Sequence, residues 1–142
     1  MLKTKEIKMT YTGYSNLNEQ EKKLFWNLPA DKLKVIYQSK EKALSETTFR
    51  FGQKSGHNNS VDAFRHCYWS ALLARDVGYE LALEITTTHE DFSQNPLDEK
   101  VMDLHNNAVG LKIGVGQYKT DPVIAEECKN VLLRGQLKTL RF

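Results

Sequence analysis

The sequence has little cysteine and no long apolar run, and each scarcity excludes a class of protein. Its two cysteines, Cys67 and Cys128, stand far apart in 142 residues, a pattern typical of reduced core thiols and not of a disulfide framework. Because no run reaches about 18 apolar residues, no transmembrane segment is predicted. The first residues carry lysines with no apolar stretch behind them, so we expect no signal peptide. We therefore expect a cytoplasmic protein, exported only if a specialised secretion system carries it.

Charge is unevenly distributed along the chain. Residues 55–110 carry nine Asp/Glu against three Lys/Arg, a net charge of −6, between flanks of +5 and +3. All four histidines also fall in this acidic middle. A segment rich in carboxylate and imidazole suits a cation better than a phosphate backbone, so no nucleic-acid partner is expected. The basic flanks are most simply solvated lysines, and they are also the part that would contact an anionic membrane lipid or cell-wall polymer.

Capping residues predict where the first helices begin. Asn18 followed by Glu21 predicts a capping box, which opens a short helix that ends before Pro29. Asp31 is predicted to cap a second helix that continues to about Thr48. No segment has the alternation typical of a strand.

The rest of the chain also predicts helices. Apolar residues at helical spacing, punctuated by glycine and proline, predict helices over about 60–78, 79–92, 96–113 and from Pro122 onward. We therefore expect a single all-α domain over residues 1–142, a compact bundle of about six helices. Its motif-bearing core would cover about 56–114, and residues 1–17 would be a flexible N-terminal segment.

Polar chemistry is concentrated in the predicted helix that begins near residue 60. Asp62, His66 and Trp69 share one stripe of this helix, because residues three and four apart are neighbours. Asp62 can orient His66, either by accepting its N–H or by sharing a cation with it. The simpler interpretation is that Asp62 favours the helix N-terminus and that His66 is a hydrogen-bonded core histidine. Trp69 is more typical of packing than of chemistry.

The next predicted helix carries a second histidine. Ala82, Ile85 and His89 share a face with Phe92, so we expect His89 to point toward the core. Glu90 lies on another face, where solvent exposure is the simpler account, and it remains a candidate catalytic carboxylate.

The predicted helix over 96–113 contains the strongest candidates. Asn107 falls within its expected core stripe, and a buried amide without partners costs about 1–3 kcal/mol, so it must be hydrogen-bonded. Asp103 lies one turn before it. Gly110 follows three residues later, which suits a close approach of another backbone or a ligand. We therefore prefer Asp103 and Asn107 over His105 and Asn106, with the alternative that an asparagine here caps a neighbouring helix end. The expected core stripe consists of Leu97, Val101, Leu104, Ala108 and Leu111.

Three ordered motifs resemble a bacterial domain family of unassigned function. They are DAFRHxxWxxLxxR from Asp62, TTxHE from Thr86 and MDLxNNxVG from Met102, and the resemblance covers about 56–114. Domains of that family often lie at the C-termini of polymorphic-toxin, Rhs-type and type VII-exported proteins. The resemblance therefore implies an effector or toxin context, with a cognate immunity protein as partner, but no particular reaction. By position it singles out Asp62, Arg65, His66, Trp69, His89, Glu90, Asp103, Asn106 and Asn107.

The first of three functional hypotheses is a metal-dependent hydrolase. A divalent ion, zinc or manganese, would be held by imidazole and carboxylate ligands on separate helices and would activate water. Phosphodiester or phospholipid substrates would fit, with Arg65 as a phosphate clamp. The expected metal ligands are His66, His89, Asp103 and Asp62. The expected catalytic residues are His66, His89, Glu90 and Asp103, and the expected substrate-binding residues are Arg65, Trp69, Asn106 and Asn107.

Two other hypotheses need no metal. In the second, Glu90 and Asp103 form the carboxylate pair of a muramidase-like hydrolase acting on peptidoglycan, with Asn107 and Arg65 orienting the substrate. In the third, the polar residues form a buried structural network in a non-catalytic binding module. A hydrolase of the effector or toxin type is the hypothesis that the residues favour.

Overall fold

The chain folds into helices throughout the residues that the computed structural model describes, which are 18–53, 59–91 and 94–140. In these ranges there are six helices and no strand, so the predicted all-α architecture is confirmed. The predicted flexible segment at 1–17 lies outside the described residues. The helices are α1 (Glu19–Trp26), α2 (Ala30–Phe51), α3 (Ser60–Val77), α4 (Tyr79–Asp91), α5 (Leu97–Gly114) and α6 (Asp121–Leu133).

Of the two N-terminal caps predicted for α1 and α2, the structure confirms the first and not the second. The predicted capping box of α1 is confirmed, because Asn18 Oδ1 accepts the backbone N–H of Glu21 at 2.8 Å and Glu21 Oε1 accepts that of Asn18 at 3.1 Å. The predicted cap of α2 at Asp31 is wrong, since Pro29 is the N-cap and Asp31 lies in the first turn. Proline loses no hydrogen bond there, because its missing N–H would be unsatisfied in any case. As expected, Gly78 follows the last residue of α3, at a φ of 91°.

Helix α3 is the centre of the bundle and packs against α2, α4, α5 and α6. Its side chains belong to two apolar clusters. In one, Phe64 and Cys67 pack with Ile124 of α6, and in the other Leu73 packs with Leu33 of α2. Because α3 is covered on several sides, any polar side chain on it has to find partners inside the protein.

Helices α3 and α5 make the closest backbone contact. A Cβ atom added at Gly110 would lie 2.1 Å from the carbonyl oxygen of Cys67, and one at Gly114 would lie 2.1 Å from that of Ala71. No side chain fits in either place. The close approach predicted at Gly110 is therefore confirmed, and the partner is the backbone of α3.

This crossing also corrects the predicted core stripe of α5. Leu97 and Val101 are 77% and 46% exposed, and the buried face lies about one residue further on. Gly110 and Gly114 lie four residues apart and face α3, so the glycine contact, and not the leucine spacing, fixes the rotation of the helix. The buried face of α5 consists of Met102, Asp103, Asn106, Asn107, Gly110, Leu111 and Gly114.

The C-terminal segment after α6 returns to α5. Asn106 accepts the backbone N–H of Lys138 at 2.8 Å and donates to the carbonyl of the same residue at 2.9 Å. Leu137 is buried beside this bond, in the cluster that joins α3 to α6. Among the described helices none combines the length and apolar character needed to cross a membrane.

Candidate metal and catalytic site

Three helices bring one ionisable side chain each to a common point. His66 of α3, Glu90 of α4 and Asp103 of α5 each offer one potential ligand atom, and these atoms all lie within 4.8 Å of one another. His66 Nε2 is 3.4 Å from Asp103 Oδ1, and His66 Nδ1 is 4.0 Å from Glu90 Oε1. The three residues are 7%, 1% and 6% exposed, respectively. In the part of the chain that the structure describes, this is the one group with the geometry of a metal-binding cluster.

The positions of Glu90 and His89 are the reverse of those expected from the sequence: Glu90 faces the interior and His89 lies nearer to solvent. Glu90, for which solvent exposure was the simpler expectation, is buried, because the inward face of α4 follows Ala82, Thr86 and Glu90 at four-residue intervals. His89 was expected to face the core, but its side chain is 44% exposed and lies at the edge of that face. A rotation of about 100° per residue is enough to reverse the two positions.

The buried carboxyl groups share a proton. Burial raises the pKa of Glu90 to about 7, and the negative charge of Asp103 adds to this effect. Burial also raises the pKa of Asp103, to about 6. The hydrogen bond from Glu90 lowers this pKa, whereas the negative charge of Asp62 raises it further. The protonated Glu90 thus donates to the Asp103 carboxylate, and near neutral pH the two groups titrate as a coupled pair.

His66 is a neutral imidazole in the folded protein. Burial lowers its pKa to about 3, and the positive charges of Arg65 and His89 act in the same direction. A hydrogen bond with Asn107 opposes the shift without reversing it. A neutral imidazole keeps a lone pair on one ring nitrogen, which is the form that binds metals.

His89 joins the triad to helix α1. Its Nδ1 lies 3.0 Å from Glu21 Oε2, and its Nε2 lies 3.9 Å from Glu90 Oε1. Burial pushes the pKa of His89 down, but the hydrogen bond and charge of Glu21 outweigh it, and the pKa is raised. For Glu21 the same partner outweighs burial and lowers the pKa. The ring of His89 also meets Trp69 edge-on, with centroids 5.7 Å apart.

Several buried polar atoms around the triad make no hydrogen bond. Each such atom costs about 1–3 kcal/mol in a dry interior, and native proteins keep few of them. Among the described residues these atoms include Arg65 Nε, His66 Nδ1, Trp69 Nε1, Asp103 Oδ1 and Asn107 Nδ2. All five belong to the site or to its immediate surroundings. Their concentration here is typical of a place that binds a ligand.

The other predicted residues divide between the site and its supports. Arg65 lies beside the triad, with Nη2 at 3.3 Å from Asp62 Oδ1. Asp62 lies outside the converging group and acts on it through its charge. Asn107 is buried and accepts a hydrogen bond from Ser70 Oγ at 3.0 Å. Asn106 is expected from the sequence to bind substrate. In the structure both ends of its amide bond the backbone of Lys138, so Asn106 anchors the C-terminal segment to α5.

The convergence therefore matches part of the metal set expected from the sequence. His66 and Asp103 belong to it, Glu90 joins them, and His89 touches the group through Glu90. Sequence reasoning missed Glu21 and Ser70 as site residues. The capping box already explained Glu21, and no local pattern connects it with His89, which is 68 residues away.

Comparison with known proteins adds a family but no activity. The sequence model of a family described as a domain of unknown function (DUF6973) matches residues 22–136, a range that includes every residue of the site except Glu21. No solved structure matches the chain.

Proposed function

The chain belongs to the DUF6973 family, and we propose that it is a hydrolase that uses a divalent metal ion to cleave a phosphodiester or phospholipid. The observation that carries the proposal is the convergence of His66, Glu90 and Asp103 within 4.8 Å. One imidazole and two carboxylates suit zinc or manganese. When bound, the ion would supply Lewis-acid activation of water and of the phosphate ester.

The charge state of the three ligands supports a cation. His66 is neutral and presents a lone pair, while Glu90 and Asp103 hold a proton between them that a cation would displace. Binding should therefore release a proton and strengthen as the pH rises through neutrality. Without a cation, ionisation of both carboxyl groups brings two negative charges into contact inside the protein, which raises the pKa of Glu90.

Arg65 supports an anionic substrate. Its guanidinium lies beside the triad, and its charge lowers the pKa of both carboxyl groups against the effect of burial. The side chain is 27% exposed, so it reaches solvent, and Nε has no protein partner. A guanidinium with a donor to spare is well suited to a phosphate oxygen.

The two metal-free alternatives fit the geometry less well. Glycosidases hold their two carboxyl groups about 5–5.5 Å apart when they retain configuration and about 6.5–9.5 Å apart when they invert it. Glu90 and Asp103 are in hydrogen-bond contact, which leaves no room for a sugar or water between them. A purely structural network would satisfy its polar atoms, whereas five of the buried polar atoms here make no hydrogen bond.

The proposal is tested by metal analysis and a chelator. The purified protein should bind about one zinc or manganese ion per chain and hydrolyse bis(4-nitrophenyl) phosphate or phosphatidylglycerol vesicles. Chelation should abolish this activity, and added metal should restore it. Asp103→Asn should lose both properties, while Asp98→Asn, an exposed position on the same helix, should keep them. A protein that binds no metal, or an activity indifferent to chelation, would overturn the proposal.

The effector or toxin role is proposed on the resemblance of the three motifs. Wild type and His66→Ala would be expressed in bacteria, separately in the cytoplasm and in the periplasm. Growth should stop in one compartment with the wild type and continue with the variant. His105→Ala, at an exposed histidine outside the triad, should remain toxic. If the wild type is harmless in both compartments, the effector or toxin role is refuted, and there is no reason to expect an immunity protein.

A further inference from the structure

We infer that Glu21 and His89 complete the metal site: His89 supplies a fourth ligand through Nε2, and Glu21 is the positioning residue that directs this nitrogen at the ion. The inference rests on the proposed metal site and adds a fourth helix, α1, to it. It makes the site an N₂O₂ set with ligands His66, Glu90, Asp103 and His89.

The first step is the tautomer of His89. A ligating imidazole is neutral, so binding has to displace the proton that Glu21 stabilises on His89 by raising its pKa. The neutral ring then carries one N–H, and its other nitrogen holds the lone pair. Glu21 Oε2 lies 3.0 Å from Nδ1, and a carboxylate can only accept, so the proton sits on Nδ1. The lone pair is then on Nε2, 3.9 Å from Glu90 Oε1. A carboxylate behind a ligating histidine is a recurring feature of metal sites.

The second step is the rigidity of this pair. Glu21 is 7% exposed, and its other oxygen accepts the backbone N–H of Asn18. Trp69 meets the imidazole of His89 edge-on, with 73° between the ring planes. Both the carboxylate and the ring are thus held before any metal arrives. A preorganised ligand loses little conformational entropy on binding.

The third step is the position of His89 relative to solvent. The other three ligands are almost fully buried, whereas the side chain of His89 is 44% exposed. His89 therefore occupies the solvent side of the group, and Glu90 Oε1 lies about equally far from His89 Nε2 and His66 Nδ1, at 3.9 and 4.0 Å. Both imidazoles thus approach the same carboxylate oxygen, although His89 lies outside the set of ligand atoms that are all within 4.8 Å of one another.

The experiment exchanges one atom of Glu21. In Glu21→Gln the amide oxygen is needed by the N–H of Asn18, which leaves the amide NH₂ facing His89. An NH₂ group donates to Nδ1, so the ring proton moves to Nε2 and blocks its lone pair. The helix cap survives, and only the tautomer changes. Glu19→Gln, at an exposed position of the same helix where the carboxylate contacts Lys22, is the matched control.

Affinity for Zn²⁺ would be measured by competition with a chromophoric chelator, and the ligand set by the visible spectrum of the Co²⁺-loaded protein. Glu21→Gln should bind about 10- to 100-fold more weakly than wild type, as loss of an outer carboxylate does elsewhere. Its Co²⁺ spectrum should change, and Glu19→Gln should match wild type in both measurements. His89→Gln, at a position where the side chain is 44% exposed, should show a loss at least as large. Circular dichroism of the metal-free variants would verify that they are folded.

The outcomes separate the two proposals. If the wild type binds no metal, the proposed function fails and this inference fails with it. If metal binding is the same in wild type, Glu21→Gln and His89→Gln, the three-ligand site stands and the fourth ligand is refuted. If His89→Gln binds weakly but Glu21→Gln binds like wild type, the positioning role of Glu21 is refuted.

Discussion

Helix α3 takes part in two polar clusters, and they are built on opposite principles. At its C-terminal end the Arg75 side chain is 4% exposed, and it donates to Asp76, Asp121 and the carbonyl of Lys119 at 2.6 to 3.0 Å. The hydrogen bonds that Arg75 donates to Asp76 and Asp121 keep the pKa of Arg75 raised against burial. Burial raises the pKa of Asp121, but the hydrogen bond and charge of Arg75 outweigh it and the pKa is lowered. Every shift in this cluster favours the charged form.

The cluster nearer the N-terminus of α3 has the reverse character. The pKa of His66 is lowered and those of Glu90 and Asp103 are raised, so each of the three groups is held toward its neutral form. Like charges face each other, and hydrogen-bonding atoms are left over. The first cluster stabilises the fold, whereas the second is maintained at the expense of stability, which is the pattern of a functional site.

The largest loss of stability should come from breaking the Arg75 cluster. Arg75→Ala would leave Asp76 and Asp121 without their cation, and loss of one partner of a buried ion pair costs about 3 kcal/mol. Urea denaturation should show this loss. Arg50→Ala, which removes a more exposed arginine that also has two carboxylate partners, should lose about 1 kcal/mol or less. Equal losses in the two variants would contradict the contrast in burial on which the comparison depends.

The second effect should be a loss of activity without a loss of stability. Asp103→Asn removes a buried charge that faces Glu90, so the metal-free protein at pH 8 should gain about 1 kcal/mol in free energy of unfolding. The same change removes a proposed metal ligand and, on the proposed function, should reduce hydrolysis about 100-fold or more. Urea denaturation and a phosphodiesterase assay on one preparation would measure both. Destabilisation by Asp103→Asn would show that the triad is a structural network like that of Arg75.

A third prediction follows from the opposite pKa shifts of the two clusters. The pKa of Glu90 is raised from its usual 4.5 to about 7. Its contribution to stability is therefore complete below pH 4.5 and lost as the pH rises through 7. The pKa of Asp121 is lowered from its usual 3.8, so its contribution is present above that value and lost as the pH falls. The metal-free site should weaken the protein toward alkaline pH, and the Arg75 cluster should weaken it in acid.

The measurement is the difference in unfolding free energy between Glu90→Gln and wild type, both metal-free, from pH 4 to pH 8. Taking the difference cancels most of the contribution of His66, which has the opposite sign because its pKa is lowered. The difference should move in favour of Glu90→Gln by on the order of 2 kcal/mol across this range. Glu84→Gln, an exposed position of the same helix, should show no trend. A flat difference for Glu90→Gln would mean that Glu90 ionises normally.

The sequence predicts the parts of this molecule that depend on local chemistry. The capping box of Asn18 and Glu21 and the end of α3 before Gly78 are set by residues a few positions apart, and both are confirmed. The rotation of α5 is different, because Gly110 and Gly114 fix it through contact with the backbone of α3. The leucine spacing of α5 carries no information on that contact.

The candidate site could be predicted in composition but not in arrangement. The sequence predicts His66 and Asp103 as site residues because polar residues in apolar helices need partners, and the two side chains do meet. Which of His89 and Glu90 enters the site depends on a rotation of about 100°, finer than periodicity resolves. Glu21 reaches the site only because α1 folds back onto α4, and a tertiary contact of that kind leaves no mark in local sequence.

The smallest predicted effect distinguishes a site support from an ordinary buried hydroxyl. Ser70 Oγ donates to Asn107 Oδ1, so Ser70→Ala should lower stability by about 1 kcal/mol. It should also release the amide that contacts His66 and weaken metal binding several-fold. Ser39→Ala is the matched control, because Ser39 is equally buried but bonds only to the Val35 carbonyl of its own helix. Ser39→Ala should lower the free energy of unfolding by a similar or smaller amount and leave the metal affinity unchanged. Equal metal affinities in the two variants would show that Ser70 and Asn107 have a structural role only. The functional cluster would then consist of His66, Glu90 and Asp103, together with His89 and Glu21.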